Sequence, residues 1–314
     1  MFERFRRQAQ TDARVALALA DGGGLWLAYG TDTADGVRLD GACSTSLTDP
    51  GELGQQLTAW VQQYSLANAP VSLVLSASDY QVVMIEAPDV AETELREAAR
   101  WGARDFLKFE AQNAVVDVFP VPSPSGRAQQ SMLNVVAADQ SRVDFLTNQL
   151  KRASLRPAVV DIPELCLRNL AVAVEASGGR GQGVIYLDRD EGMLNILCGD
   201  ELYLTRGVSV GAATLESAEI QDRTRMLDEV VLELQRSFDY YERHFSQAPI
   251  RRVVVAPSEP NVDFLGEQLK YELNIEIAAM ALDGVLGMDS ARHHIAGPGT
   301  LALGALLRDR EDWL

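Results

Sequence analysis

Gly183-Val184-Ile185-Tyr186-Leu187, Met193-Leu194-Asn195-Ile196-Leu197-Cys198 and Glu201-Leu202-Tyr203-Leu204-Thr205-Arg206 follow one another at short intervals, and their reading decides the fold. Each is a short β-rich run. The segments between them, Asp188-Arg189-Asp190-Glu191-Gly192 and Gly199-Asp200, are polar turns, so the three runs spell an antiparallel meander. Leu227, Val230, Val231, Leu234, Phe238, Tyr241 and Phe245 then recur at helical spacing, with Asp, Glu, Arg and Gln between them. Asp222 is placed to cap that helix, and Pro249 requires it to stop. The chain then enters Arg252-Val253-Val254-Val255-Ala256, an apolar run suited to a strand buried on both faces. Residues 182–257 therefore predict a meander, a long helix and a buried strand.

The same pattern occurs earlier. Val15–Ala20, Leu25–Tyr29 and Gly36–Asp40 read as three strands, with turns at Asp21-Gly22-Gly23-Gly24 and Thr31–Asp35. A helix from about Gly51 to Ser65 buries Leu53, Leu57, Trp60, Val61 and Tyr64, and Val71–Ser76 follows as a buried strand. Two copies at a long interval predict two similar lobes on mixed sheets, with any ligand in the cleft between them.

Between the copies, Asp89 can cap a helix running to about Phe109, with Leu95, Ala98, Ala99, Trp101 and Phe106 as apolar positions. Val115–Val121 and Met132–Ala138 read as strands around a Pro-Ser-Gly loop at Pro122–Gln130, and Ser141–Ser154 as an amphipathic helix. These make an inserted β-α-β-β-α subdomain, about residues 80–155, lying before a run at Pro157–Asp161. A helix from Pro163 to Val174 ends at Gly178-Gly179. Beyond the second copy, Val262–Leu273 reads as a helix, Ile275–Met280 as a strand and Leu301–Leu307 as a last apolar helix. The expected organisation is a basic leader at 1–13, a first lobe at 14–180 and a second at 181–314. The last helix is expected to pack back toward the first lobe.

At 314 residues the chain is long enough for two cores, and its mean hydropathy of −0.06 places it in the soluble globular class. No apolar run reaches the ~20 residues of a membrane span, and Met1-Phe2-Glu3-Arg4-Phe5-Arg6-Arg7 is not a secretory signal. That leader reads as a frayed terminus in preference to a membrane-surface or partner-binding arm. Cys43, Cys166 and Cys198 are odd in number and far apart, which fits reduced thiols in a cytosol. A formal charge of −17 excludes general nucleic-acid binding.

Several short motifs invite chemistry and are set aside. Gly207-Val208-Ser209-Val210-Gly211 matches the G-x-S-x-G elbow, but only a weak helix candidate, Ala212–Gln221, follows it and no oxyanion loop is visible. The adjacent His293-His294 cannot both face one metal from a helix. His244 reads as part of a solvated face. Asp188, Asp190 and Glu191 begin like a calcium loop that lacks its closing Glu. Arg236 and Arg243 are expected to pair with neighbouring acids. Gly22-Gly23-Gly24 has neither the Lys nor the following helix of a phosphate loop.

Three longer segments carry a family resemblance: Ala99-Arg100-Trp101-Gly102-Ala103-Arg104-Asp105-Phe106-Leu107 with Ala114–Phe119; Val160-Asp161-Ile162-Pro163-Glu164-Leu165-Cys166-Leu167-Arg168-Asn169-Leu170; and Leu232-Glu233-Leu234-Gln235-Arg236-Ser237-Phe238-Asp239-Tyr240-Tyr241. With the element order, they resemble the PilM-type actin-like proteins of type IV pilus systems, nearest the MshI branch of mannose-sensitive haemagglutinin pilus biogenesis. The resemblance covers nearly the whole chain and implies an α/β, two-lobed, ribonuclease H-like fold. It also implies three nucleotide loops: two Asp-x-Gly-(Ser/Thr) hairpins for phosphate and metal, and a Gly-Gly turn for adenosine. In register, the Asp and Gly positions fall on Ala18 and Ala20 in the first hairpin and on Tyr186 and Asp188 in the second. The late turn is Ala256-Pro257. Ala18 cannot hold a metal, Asp188 repels phosphate and Pro257 has no N–H to donate. The fold is therefore expected without the ATPase, with no catalytic residues, no metal ligands and no ATP or Mg²⁺ as cofactor. A divergent nucleotide-binding ATPase is the alternative, and a serine hydrolase trails both.

The partner that the resemblance implies is an inner-membrane protein of the PilN type. Its cytoplasmic N-terminal segment would dock in a groove between the first lobe and the inserted subdomain. The pilus assembly ATPase and a second copy of the chain are further possible partners. Location would be cytoplasmic, peripheral to the inner membrane through the partner, without direct insertion. Trp101, Phe106, Leu107 and Phe109 do not fit one buried stripe, which makes them candidate anchors in that groove; the competing reading places all four in the subdomain's core.

Overall fold

The computed structural model describes residues 13–34, 36–122, 131–174, 179–288 and 295–308. The basic leader up to residue 12, the loop at 123–130, Gly178 and His293-His294 lie outside them. Along the first half run β1 (Ala13–Leu19), β2 (Gly24–Thr33), β3 (Gly36–Ser46), α1 (Leu53–Tyr64) and β4 (Pro70–Val74). Next come β5 (Tyr80–Glu86), α2 (Glu92–Ala103), β6 (Ala114–Val121), β7 (Met132–Asp139), α3 (Gln140–Arg152), β8 (Arg156–Asp161) and α4 (Pro163–Val174). The second half holds β9 (Gly181–Leu187), β10 (Gly192–Cys198), β11 (Glu201–Val208), α5 (Ala212–Ser217) and α6 (Ile220–Phe245). It closes with β12 (Arg252–Val255), α7 (Asp263–Leu273), β13 (Glu276–Ala279) and α8 (Pro298–Leu306).

The duplication is exact in topology. One sheet has the order β3-β2-β1-β4-β8 and the other β11-β10-β9-β12-β13. In each, the meander is antiparallel and the two later strands add in parallel. The outer face of the first sheet is covered by α1 and α3, where Leu57, Trp60, Leu146 and Leu150 meet Leu17, Leu27 and Leu73. The outer face of the second is covered by α6 and α7, where Leu234, Phe238, Leu265 and Leu269 meet Ile185, Ile196 and Val253. On the inner faces the lobes exchange helices: α4 packs on β9 and β10, whereas α8 packs on β1 and β2. The two helices touch where Gly304 lies against the Cys166 carbonyl, which an added Cβ would approach to 2.0 Å. All nine residues of α8 are buried, and one apolar cluster runs from Ala16 and Ala28 through Leu167 and Leu303 to Val184 and Val254.

The inserted unit follows the expected β-α-β-β-α order. Its sheet is β5-β7-β6, with α2 on one face, its Ala99 and Ala103 clustering with Val116 and Val135. Its last helix, α3, also serves the first lobe, burying Leu146 and Leu150 against α1. Two boundaries differ from the sequence reading. The helix expected to reach Phe109 stops at Ala103 and tightens into a 3₁₀ turn at Arg104–Phe106. Beyond it, Gln81 on β5 takes over the backbone groups a helix would have paired: its side-chain amide donates to the Phe106 carbonyl (3.2 Å) and its oxygen accepts from Lys108 N–H (2.6 Å). The long helix starts at Ile220, without a side-chain cap, rather than at Asp222. One turn in, Arg223 donates to the Leu215, Glu216 and Ala218 carbonyls at the end of α5, satisfying groups that helix leaves open.

Candidate functional site

Parallel strands of both sheets end at the same crevice, the usual place for a ligand in open α/β sheets. From the first lobe come the β1–β2 turn and the loop after β4, and from the second the β9–β10 turn, whereas the loop after β12, with Ala256 and Pro257, lines a separate cavity of about 490 Å³. A cavity of about 280 Å³ lies in the crevice, bordered by Leu19, Asp21 and Ser76 on one side and by Tyr186, Asp188 and Glu191 on the other. The two hairpins that the sequence singled out are therefore brought face to face. Ser78 donates to Asp21, and Ser76 donates to Asp79, which is held in turn by Arg142 at 2.8 and 3.2 Å.

The six register positions have specific fates. Ala18 is fully buried, pairs with Trp26 and Val74 along its sheet and presents only a methyl group. Ala20 closes the first turn, its N–H donating to the Gly24 carbonyl at 2.9 Å. Tyr186 is 2% exposed, and its hydroxyl has no hydrogen-bond partner among the described residues. Leaving a buried phenol unpaired costs about 1–3 kcal/mol. Burial, then the Asp188 and Glu259 carboxylates, push that phenol well above its ordinary pKa. Asp188 holds the second turn through its backbone, donating to the Glu191 carbonyl (2.8 Å) and accepting from Ala212 N–H (2.6 Å). Burial, with Asp21, Asp190 and Glu191 nearby, raises its carboxyl pKa, while the Arg189 N–H donated to it works the other way. Ala256 is buried, and the Pro257 carbonyl accepts from Gly297 N–H and the Thr300 hydroxyl, both 3.1 Å away at the start of α8.

The other motifs resolve on contacts. A helix, α5, does follow Gly211, but the Ser209 hydroxyl donates to Glu233 at 2.8 Å, so its nearest partner is a carboxylate and not an imidazole. His244 stacks on Tyr240 with ring centroids 4.8 Å apart, and Arg243 pairs with Asp239 at 3.7 Å.

On the inserted subdomain, Trp101 is 48% exposed and Phe106 is 63% exposed, whereas Leu107 and Phe109 pack partly against its core. Phe106 lies beside β5, an edge strand of its sheet, through the Gln81 bridge. A groove of about 620 Å³ opens on the sheet face away from α2, between Phe119, Val121, Met132, Leu165, Arg168 and Leu202; none of the four candidate anchors lines it.

Sequence reasoning missed a buried junction between the parts. Tyr80, at the root of the insert, donates to Glu164 on α4 at 2.6 Å, and Asn195 on β10 donates to the Glu164 carbonyl at 2.8 Å. Burial raises the Glu164 carboxyl pKa despite the Tyr80 bond. Asp161, also buried, pairs with Arg308 at 2.9 Å. Both acids sit in the quoted segment Val160–Leu170, but the partners, 84 and 147 residues away, carry no sequence signal.

Two sheets of matching order, helices exchanged across one crevice and an insert between the strands of the first lobe define the actin-like fold. No family model and no curated protein matches the sequence. Among solved structures, the chain is similar to a chain of a PilM–PilN type IV pilus biogenesis complex, with a TM-score of 0.72, 20% identity, and coverage of 93% of this chain and 98% of that one. It is also similar to a Bacteroides thetaiotaomicron protein with an actin-like ATPase fold and unknown function, with a TM-score of 0.54, 12% identity, and coverage of 89% and 97%.

Proposed function

We propose that this chain is a non-catalytic cytoplasmic scaffold of a type IV pilus assembly machine, of the PilM type and the MshI branch, that captures the cytoplasmic N-terminal segment of a PilN-type inner-membrane protein. The fold shared with the PilM–PilN complex supports the setting. The observation that carries the reading is the exposure of Trp101, on α2, and of Phe106, beside the edge strand β5. Aromatic anchors next to an unpaired strand edge are what capture of an extended peptide uses. Against Mg²⁺-nucleotide stands the chemistry of the register positions: Ala18 and Ala20 offer no ligand, Asp188 beside Asp190 and Glu191 opposes phosphate, and the Pro257 carbonyl is engaged by Gly297 and Thr300 at the start of α8.

A nucleotide-binding ATPase with divergent loops is the second reading, favoured by the convergence of both hairpins on one cavity. The experiment separates the two. The full chain is titrated with a peptide copy of the partner's N-terminal segment and, separately, with ATP and MgCl₂. Saturable peptide binding with no thermal shift from nucleotide is expected. Stabilisation by ATP and MgCl₂, about 2.7 kcal/mol at 100 times a dissociation constant, would establish the second reading instead.

A further inference from the structure

We propose that the groove behind the inserted subdomain is a docking site for the chain's own residues Asp309-Arg310-Glu311-Asp312-Trp313-Leu314, with the Trp313 ring as the anchor. The groove has a volume of about 620 Å³, within the ~300–1,000 Å³ of pockets that hold a ligand. Four half-buried apolar side chains line it from four elements: Phe119 from β6, Met132 from β7, Leu165 from α4 and Leu307 just past α8. Each packs on an apolar cluster beneath and leaves part of its surface to the groove. Covering that surface is favourable for any apolar occupant.

The path of the chain selects which one. Leu307 and Arg308 are themselves part of the groove wall. They are held there: Arg14 on β1 donates to the Arg308 carbonyl at 2.7 Å, and the Arg308 guanidinium pairs with Asp161 at 2.9 Å. The residues that follow therefore start at the groove, and Trp313 is within about 17 Å of extended chain from Arg308. So short a tether gives the indole an effective concentration of about millimolar, enough to populate a contact too weak to hold a separate peptide. Two other segments outside the described residues fit less well. Residues 1–12 lead into Ala13, which is not in the wall; the loop at 123–130 adjoins the wall but has no apolar side chain larger than proline.

Charge agrees with this occupant. The segment carries three carboxylates, Asp309, Glu311 and Asp312, to the one guanidinium of Arg310. On the α4 wall stands Arg168, bonded to the Asn169 side-chain oxygen at 2.8 and 3.2 Å and without a carboxylate partner among the described residues. An acid of the segment supplies that partner, and the planar guanidinium is also a platform for an indole. Asp200 and Glu201, exposed at the β10–β11 turn, are placed to take Arg310. Docked there, the segment closes the groove to an extended peptide from any other chain.

Fluorine NMR of the full chain labelled with fluorotryptophan tests the proposal. The four resonances, from Trp26, Trp60, Trp101 and Trp313, are assigned by single replacements with Phe. The Trp313 resonance is expected away from the position of the free amino acid and protected from a soluble quencher, as is that of the buried Trp60. Met132→Asp on β7 and Arg168→Glu on α4 should each return it to the free position with loss of protection. The paired change Glu311→Lys and Asp312→Lys, which leaves the wall untouched, should do the same. An unmoved Trp60 resonance shows that a variant is folded; if both groove variants move it, the segment variant decides. The proposal is overturned by a free Trp313 resonance in the unsubstituted chain, or by a protected one that a folded groove variant or the segment variant leaves in place. Protection that fades on dilution would also overturn it, by making a second copy the occupant.

Discussion

Trp101 and Phe106 are large apolar side chains left in water on the insert, while Leu107 and Phe109, a few residues on, are drawn into its core. Replacing Trp101 or Phe106 by Ala should therefore leave the unfolding midpoint within about 0.5 kcal/mol, as exposed positions usually do. Each replacement should weaken capture of a PilN-type peptide at least tenfold. Equal binding by both variants would remove them from the interface. Glu164 makes a different residue-scale prediction. Burial raises its folded pKa above the ordinary glutamate value, so its contribution to stability is present below that ordinary value and is lost as pH rises through the folded value. Glu164→Gln, which can still accept from Tyr80, should melt progressively higher than the unsubstituted chain as pH goes from 4 to 8. A constant or shrinking gap would contradict the burial of that charge. The exposure of Trp101 and Phe106 was half legible in the sequence, because the spacing of four bulky residues between 101 and 109 does not fit one buried stripe. The state of Glu164 was not, because a charged residue near a helix start reads as solvated until Tyr80 and Asn195 are placed on it.

At the scale of elements, close approach of α4 and α8 depends on one residue without a side chain. An added Cβ at Gly304 would stand 2.0 Å from the Cys166 carbonyl oxygen, a backbone atom that no rotamer change can move. Gly304→Ala should lower stability by about 2 kcal/mol or more, read as a shifted urea midpoint. Gly207→Ala, where an added Cβ meets nothing within 4 Å, is the matched control and should be near neutral. The strands and α6 were legible because period-two and period-3.6 patterns are long and bounded by turn residues. The end of α2 was not, because its terminator is the Gln81 side chain on another strand, and the start of α6 was not, because it has no local cap. The helical state of α5 was obscured by its weak composition and rests on Arg223 closing its last carbonyls.

For the whole molecule, the apolar cluster shared by both inner faces joins the lobes through residues of β1, β9, α4 and α8. Unfolding should be one cooperative event: tryptophan fluorescence, which includes Trp26 and Trp60 of the first lobe, and far-ultraviolet circular dichroism should give coincident urea curves. Two separated transitions would show that the lobes hold independently. The two-lobed plan was legible because it is written twice, and the last helix, α8, packs on β1 and β2 of the first lobe as expected, whereas the reciprocal packing of α4 on β9 and β10 carries no sequence signal. That exchange has a consequence for synthesis. Translation delivers β1 and β2 well before α8, so the inner face of the first sheet, with Ala16, Ala28 and the half-buried Trp26, waits uncovered on the ribosome while the second lobe is made. A nascent chain arrested before Pro298 would carry that sticky face into the cell. Chaperone capture of such arrested chains, released once α8 emerges, is the expected signature in ribosome profiling of bound holdases.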